Sequence, residues 1–154
     1  MYDNKYQKIL VPVDGSILAD LAYQKAKNYA IENGAELVIL SAVDTTGFSF
    51  HDVDFQTDVD NFVEQSDQFL ADYAKDARKD NIRFKTRSVI GNPKNAIIEE
   101  VKEEKVDAIF MGASGTNSLT RLFVGSTTAY VIRHTTVDVL VVKTHLDNKT
   151  RPTH

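Results

Sequence analysis

Five short apolar segments alternate with four amphipathic ones along the 154 residues, and this alternation constrains the fold more than any other feature. The apolar segments span about residues 8–13, 36–43, 82–90, 106–111 and 137–143. Their lengths and β-branched content indicate strands, and near-continuous apolar strands are typical of a parallel sheet buried on both faces. The chain is therefore predicted to be an α/β protein with a five-stranded parallel sheet and helices on both faces.

The amphipathic segments predict four helices, and residues that typically cap helices mark both ends of the first one. Ser16 is placed to cap the first helix, and Asn33-Gly34 to end it. The later helices are predicted from residue 55 to about 80, from residue 93 onward, and at about 126–134. The length suits one domain covering residues 1–154, with a core at about 6–143 and a polar tail at 144–154.

The order of the strands is not determined by these patterns. Right-handed crossovers leave 2-1-3-4-5 and 3-2-1-4-5 as the common choices. Ligands of such sheets bind beyond the carboxyl ends of the strands, where the winding direction reverses. In the second order that point lies between strands one and four, so the turn-like residues 14–16 and 112–115 would face each other.

A glycine-spaced loop follows the fourth strand. Gly112-Ala113-Ser114-Gly115 is followed by nine residues and then by Gly125-Ser126-Thr127, which opens a helix. Glycines allow close backbone approach, and free N–H groups at a helix start bind phosphate. The loop contains neither a Walker A Gly-Lys-Ser/Thr nor a Gly-x-Gly-x-x-Gly fingerprint. The alternative interpretation is a tight turn with a purely structural role.

Charge and composition exclude several classes of function. A net charge of -4 does not fit a binder of nucleic-acid backbone, and the lack of cysteine excludes disulfides and thiolate chemistry. The polar start and the lack of an apolar run of about 20 residues predict a cytoplasmic protein with no membrane partner. No side-chain set has a firm metal-ligand spacing, and no general base or catalytic triad is evident.

The chain resembles the universal stress protein family over roughly residues 6–143. The resemblance rests on residues 8–16, 122–126, 130–134 and 139–142, and on the glycine spacing from Gly112 to Ser126. That spacing is similar to the loop of the family's ATP-binding subgroup. The resemblance implies a Rossmann-like, adenine nucleotide alpha hydrolase-like sheet of order 3-2-1-4-5. It also implies a dimer formed through Val139, Leu140, Val141 and Val142.

The resemblance further implies an ATP site, with Mg held through the phosphates rather than by side chains. Asp14 would bind the ribose, Pro12 and Val13 would line the adenine side, and the Val43 backbone would meet adenine. The remaining implied contacts are Met111 and Gly112 beside the nucleoside, and Gly115, Gly125, Ser126 and Thr127 on the phosphates.

Two departures from the family pattern affect these expectations. Ser114 stands where many members carry a basic or imidazole side chain, so Arg121 is the nearest candidate to balance phosphate charge. Residues 136–138 replace a usual proline-flanked turn before the last strand. The leading interpretation is a nucleotide-responsive stress protein rather than an enzyme. The alternatives are a slow ATP hydrolase and a dimerisation module that binds no nucleotide.

Overall fold

The computed structural model describes residues 4–47, 54–114 and 124–144. Strands and helices alternate along these residues, as the sequence patterns predicted. The strands are β1 (Lys8–Pro12), β2 (Glu36–Val43), β3 (Phe84–Ile90), β4 (Ala108–Gly112) and β5 (Asp138–Val142). The helices are α1 (Ile17–Asn33), α2 (Phe55–Lys79), α3 (Pro93–Glu104) and α4 (Ser126–His134).

The five strands form one parallel sheet in the order β3-β2-β1-β4-β5, which confirms the predicted fold class. Leu10 at the centre of β1 pairs with Val38 of β2 and with Ile109 of β4. The order 2-1-3-4-5, which the residue patterns left open, is therefore excluded. The winding direction reverses between β1 and β4, so the ends of these two strands form the topological switch point.

The helices cover the sheet in two layers, and each layer has its own core. On one face α1 and α2 pack against side chains such as Ile9 and Leu37. On the other face α3 and α4 pack against Leu10 and Val38. Successive side chains of a strand point to opposite faces, so central strands covered on both sides need apolar residues at every position. This explains the apolar runs at residues 9–12 of β1 and 37–40 of β2.

β3 and β5 form the two edges of the sheet. Most of β3 is exposed, which agrees with its mixture of polar and apolar residues. On β5, Leu140 keeps 39% of its surface exposed. Within residues 4–47, 54–114 and 124–144, no helix combines the length and the apolarity that a membrane span requires.

Candidate functional site

A cavity of about 500 Å³ opens at the carboxyl ends of β1, β2 and β4, where the topological switch point lies. It is bounded by the residues that follow these strands and by the first turns of the helices. The lining residues are Pro12, Val13, Asp14, Ser16, Ala19, Leu40, Ala42, Asp44, Asn92, Pro93, Lys94, Ile97, Met111, Gly112, Ser114, Gly125, Ser126, Thr127 and Thr128.

The end of β1 supplies a carboxylate to the cavity. The Val13 N–H donates to the Leu40 carbonyl at 2.8 Å, which carries the strand pairing up to Asp14. Asp14 then closes a turn, because its Oδ1 accepts the Ser16 N–H at 3.0 Å. Gly15 adopts φ +82°, a left-handed conformation that glycine takes without strain. Asp14 is exposed and lines the cavity, so it can also accept hydrogen bonds from a ligand.

The start of α4 is fastened to the end of β4 by two hydrogen bonds. The Gly125 N–H donates to the Ala113 carbonyl at 2.8 Å. The buried Thr128 hydroxyl donates to the Gly112 carbonyl at 2.9 Å. β4 is in turn tied to β5, since the Ala113 N–H donates to the Val142 carbonyl at 2.8 Å. The first turn of α4 is therefore held in a fixed position at the cavity wall.

α4 begins without a side-chain cap. Ser16 caps α1 by accepting the Ala19 N–H, and Asn92 caps α3 by accepting the Lys94 N–H. The N-cap of α4 is Gly125, which makes no side-chain cap hydrogen bond. The backbone N–H groups of a first helical turn have no partner within the helix and carry the positive end of the helix dipole. An anion in the cavity can bind these groups together with the hydroxyls of Ser126 and Thr127.

Two of the loop glycines are closely packed against protein neighbours. A Cβ on Gly112 would lie 2.7 Å from the Leu18 Cβ and 3.1 Å from the Leu18 carbonyl carbon on α1. A Cβ on Gly125 would lie 3.2 Å from the Ser114 Cα. All three distances are shorter than ordinary van der Waals contacts, so a Cβ at either position would require its neighbours to shift. The glycine spacing thus has a structural cause in addition to the predicted functional one.

The cavity has an acidic side and a basic side. Asp14 and Asp44 follow the neighbouring strands β1 and β2, and Lys94 enters from the start of α3. Hydrogen bonds from the Thr46 backbone and hydroxyl lower the pKa of Asp44, so this carboxyl is ionised at neutral pH. Carboxylates suit hydroxyl donors such as those of a ribose, while the uncapped helix start and Lys94 suit phosphate.

The sequence profile of the universal stress protein family matches residues 5–143 of this chain. The chain belongs to the universal stress protein family. A Staphylococcus saprophyticus protein named for this family is 37% identical over 145 residues, covering 90% of this chain and 84% of that protein.

Solved structures from the same family share this fold. The universal stress protein UspA from Lactobacillus plantarum superposes with a TM-score of 0.72 at 33% identity, covering 92% of this chain and all of that one. A universal stress protein in complex with cAMP superposes with a TM-score of 0.62 at 26% identity, covering 91% of this chain and 98% of that one. The universal stress protein fold is thus found in a relative that binds a cyclic adenine nucleotide.

Most of the residues predicted from the sequence meet at the cavity of this universal stress protein. Those that line it are Pro12, Val13, Asp14, Met111, Gly112, Gly125, Ser126 and Thr127. Gly115 and Arg121 fall outside the described residues. The roles given to all of these residues stay predictions.

Val43, whose backbone is predicted to meet adenine, is not among the residues that line the cavity. Its side chain is buried, and its carbonyl accepts the Gly91 N–H at 2.9 Å. The adjacent residues Ala42 and Asp44 line the cavity instead. Side chains alternate along a strand, so the Val43 side chain points to the opposite side from its two neighbours. The contact of its backbone with adenine stays a prediction.

The sequence interpretation did not place Asp44, Asn92, Lys94 or Thr128 at the site. Asp44 follows β2 in the same way that Asp14 follows β1, and this parallel could have indicated it. Thr128 lies on the first turn of α4, one residue beyond the predicted set. Asn92 and Lys94 reach the cavity because α3 packs across β2 and β1 and against α4, and no local sequence signal reveals that packing.

Proposed function

We propose that this universal stress protein binds ATP in the cavity at the switch point and acts as a nucleotide-responsive regulator rather than as an enzyme. One observation carries the proposal: the uncapped first turn of α4 opens into a cavity that also receives the end of β1. The helix start supplies phosphate donors, and Asp14 supplies an acceptor for ribose hydroxyls.

The dimensions and chemistry of the cavity support an adenine nucleotide. Its volume of about 500 Å³ lies within the range of small-molecule sites. Pro12, Val13 and Met111 offer apolar surface for a base, while Ser126 and Thr127 offer hydroxyls for phosphates. In this arrangement Mg is held through the phosphates. The relative in complex with cAMP supports the adenine assignment.

ATP acts on this protein by shifting an equilibrium between states. A ligand changes such an equilibrium only to the extent that the two states differ in affinity for it. Regulation therefore requires that the site around α4 differ between the two states. Efficient hydrolysis is not expected. Phosphoryl transfer needs a residue that positions the attacking water, and no general base for that role is evident in the sequence.

Titration calorimetry of the purified protein with ATP tests the proposal, with GTP as the matched control ligand. We expect saturable binding of ATP with one site per chain, and a melting temperature that rises with ATP concentration. GTP carries the same phosphates, so the adenine-binding surface predicts weaker binding of GTP. Absence of binding heat and of thermal stabilisation with ATP, ADP and AMP alike would reject the proposed function.

We also propose that the protein dimerises through β5. This strand is a sheet edge, and its unpaired backbone groups and the partly exposed Leu140 can pair with a second copy. Leu140→Lys is expected to convert a dimer into a monomer in sedimentation velocity, because a charge would be buried at the interface. Ile31→Lys, the same type of change at an exposed site on α1, is the control. A dimer that persists in Leu140→Lys contradicts this interface.

A further inference from the structure

Lys94 brings a positive charge to the cavity from a helix outside the glycine loop. It is the second residue of α3, and the cap formed by Asn92, whose side chain accepts the Lys94 N–H at 2.9 Å, fixes its backbone. Lys94 is partly buried and is one of the residues that line the cavity. Among the described lining residues it is the single Lys or Arg.

The ammonium of Lys94 stands beside the first turns of α4. Its Nζ lies 5.9 Å from the centre of the Tyr130 ring. Tyr130 follows Ser126 by four residues and Thr127 by three, so these side chains share one helical face. Because α3 packs against α4, that face is turned toward Lys94. Tyr130, which the ammonium contacts, is about one helical turn, or roughly 5 Å along the axis, from the uncapped helix start.

The charge of Lys94 is not neutralised by a carboxylate in the described parts of the chain. Lys8, Lys27 and Lys85 each form an ion pair with a carboxylate within 4.0 Å, whereas Lys94 forms none there. Its contact is with the face of the Tyr130 ring, and such a contact stabilises a cation only weakly at a partly exposed site. A phosphate in the cavity competes effectively for this ammonium, because the attraction between opposite full charges is stronger.

We propose that Lys94 leaves the Tyr130 ring to bind the phosphate chain of the nucleotide, and thereby makes the site prefer ATP and ADP over AMP. This inference rests on the proposed function. The preference follows from charge, since the attraction to a single ammonium grows with the number of phosphates. Lys94 thus provides the cation near the phosphates that Ser114 does not provide.

Calorimetric titrations with ATP, ADP, AMP and adenosine test this role in the wild-type protein and three variants. Lys94→Met keeps the length of the side chain and removes the charge, while Lys94→Arg keeps the charge. Lys102→Met makes the same change at an exposed position of α3 that does not line the cavity. We expect Lys94→Met to weaken ATP binding about tenfold, to weaken AMP binding less, and to leave adenosine binding unchanged. The other two variants should retain the wild-type preference.

Each outcome bears on one of the two proposals. If the wild-type protein binds none of the four ligands, the proposed function fails and this inference fails with it. If the wild-type protein binds ATP and Lys94→Met binds it equally well, this inference is overturned while the proposed function stands. Equal losses for ATP and adenosine in Lys94→Met would also overturn it, because they would show damage to the cavity rather than loss of a phosphate contact.

Discussion

Ser126→Asp should weaken ATP binding about 100-fold while making the folded protein more stable. A carboxylate in the first turn of α4 would face the phosphates, and like charges about 4 Å apart repel by about 4 kcal/mol near a protein surface before screening by salt. After screening, about 2.7 kcal/mol corresponds to the expected 100-fold. The same charge suits the helix dipole and should raise the free energy of unfolding by about 0.3–1 kcal/mol.

Calorimetry and urea denaturation measure the two effects separately. EDTA should be present during the titrations, so that no divalent cation bridges the new carboxylate to the phosphates. Ser126→Asn is the matched control, because asparagine has the shape of aspartate without its charge. Adenosine is the control ligand without phosphate. Undiminished ATP affinity in Ser126→Asp would show that the phosphates lie elsewhere. Equal losses for adenosine would point to general damage.

Gly112→Ala should lower the free energy of unfolding by about 1–3 kcal/mol, the usual cost of an overpacked contact. The added methyl would lie 2.7 Å from the Leu18 Cβ and 3.1 Å from the Leu18 backbone carbon. Neither atom can move by a simple side-chain rotation, so α1 itself would have to shift away from β4. Urea denaturation of the variant beside the wild-type protein measures the loss.

Gly47→Ala is the control for this substitution, since a Cβ at that exposed position meets no atom within 4 Å. It makes the same change in backbone entropy without the clash, and we expect little change in stability. If Gly112→Ala is as stable as the wild-type protein, or if Gly47→Ala is equally destabilised, the packing of α1 against β4 is not the reason for a glycine at position 112.

The helices and strands could be predicted from the sequence because their boundaries have local causes. Ser16 caps α1 through its own hydroxyl, and Gly34 ends the helix at φ +72°, a conformation that favours glycine. Both boundaries agree with the prediction. Some predicted strands were one or two residues too long at an end. There, apolar residues such as Ile82 are buried although they lie outside the hydrogen-bonded strand.

The strand order has no local cause, and periodicity left two orders open. Alternating helices and strands with right-handed crossovers are compatible with both, because the pairing of β1 with β4 joins residues about 100 positions apart. The resemblance to the universal stress protein family favoured the order that the structure has. Family-level similarity thus supplied a long-range contact that the residue patterns could not.

The residues of the candidate site likewise fall into those that the sequence could predict and those that it could not. Asp14 and Gly112 could be predicted because Asp14 lies two residues after β1 and Gly112 ends β4, and strand ends of a parallel sheet meet at one edge. The Val43 side chain points away from the cavity because side chains alternate along β2, and the predicted contact of its backbone with adenine stays a prediction. Lys94 could not be predicted, because it reaches the cavity only through the packing of α3 across the sheet and against α4.

The hydrogen bonds from Gly125 to Ala113 and from Thr128 to Gly112 have a consequence for how the start of α4 is positioned. Neither bond involves positions 115–123, although these positions join the two segments along the chain. The first turn of α4 is therefore fixed beside the end of β4 by contacts between residues that are far closer in space than along the chain.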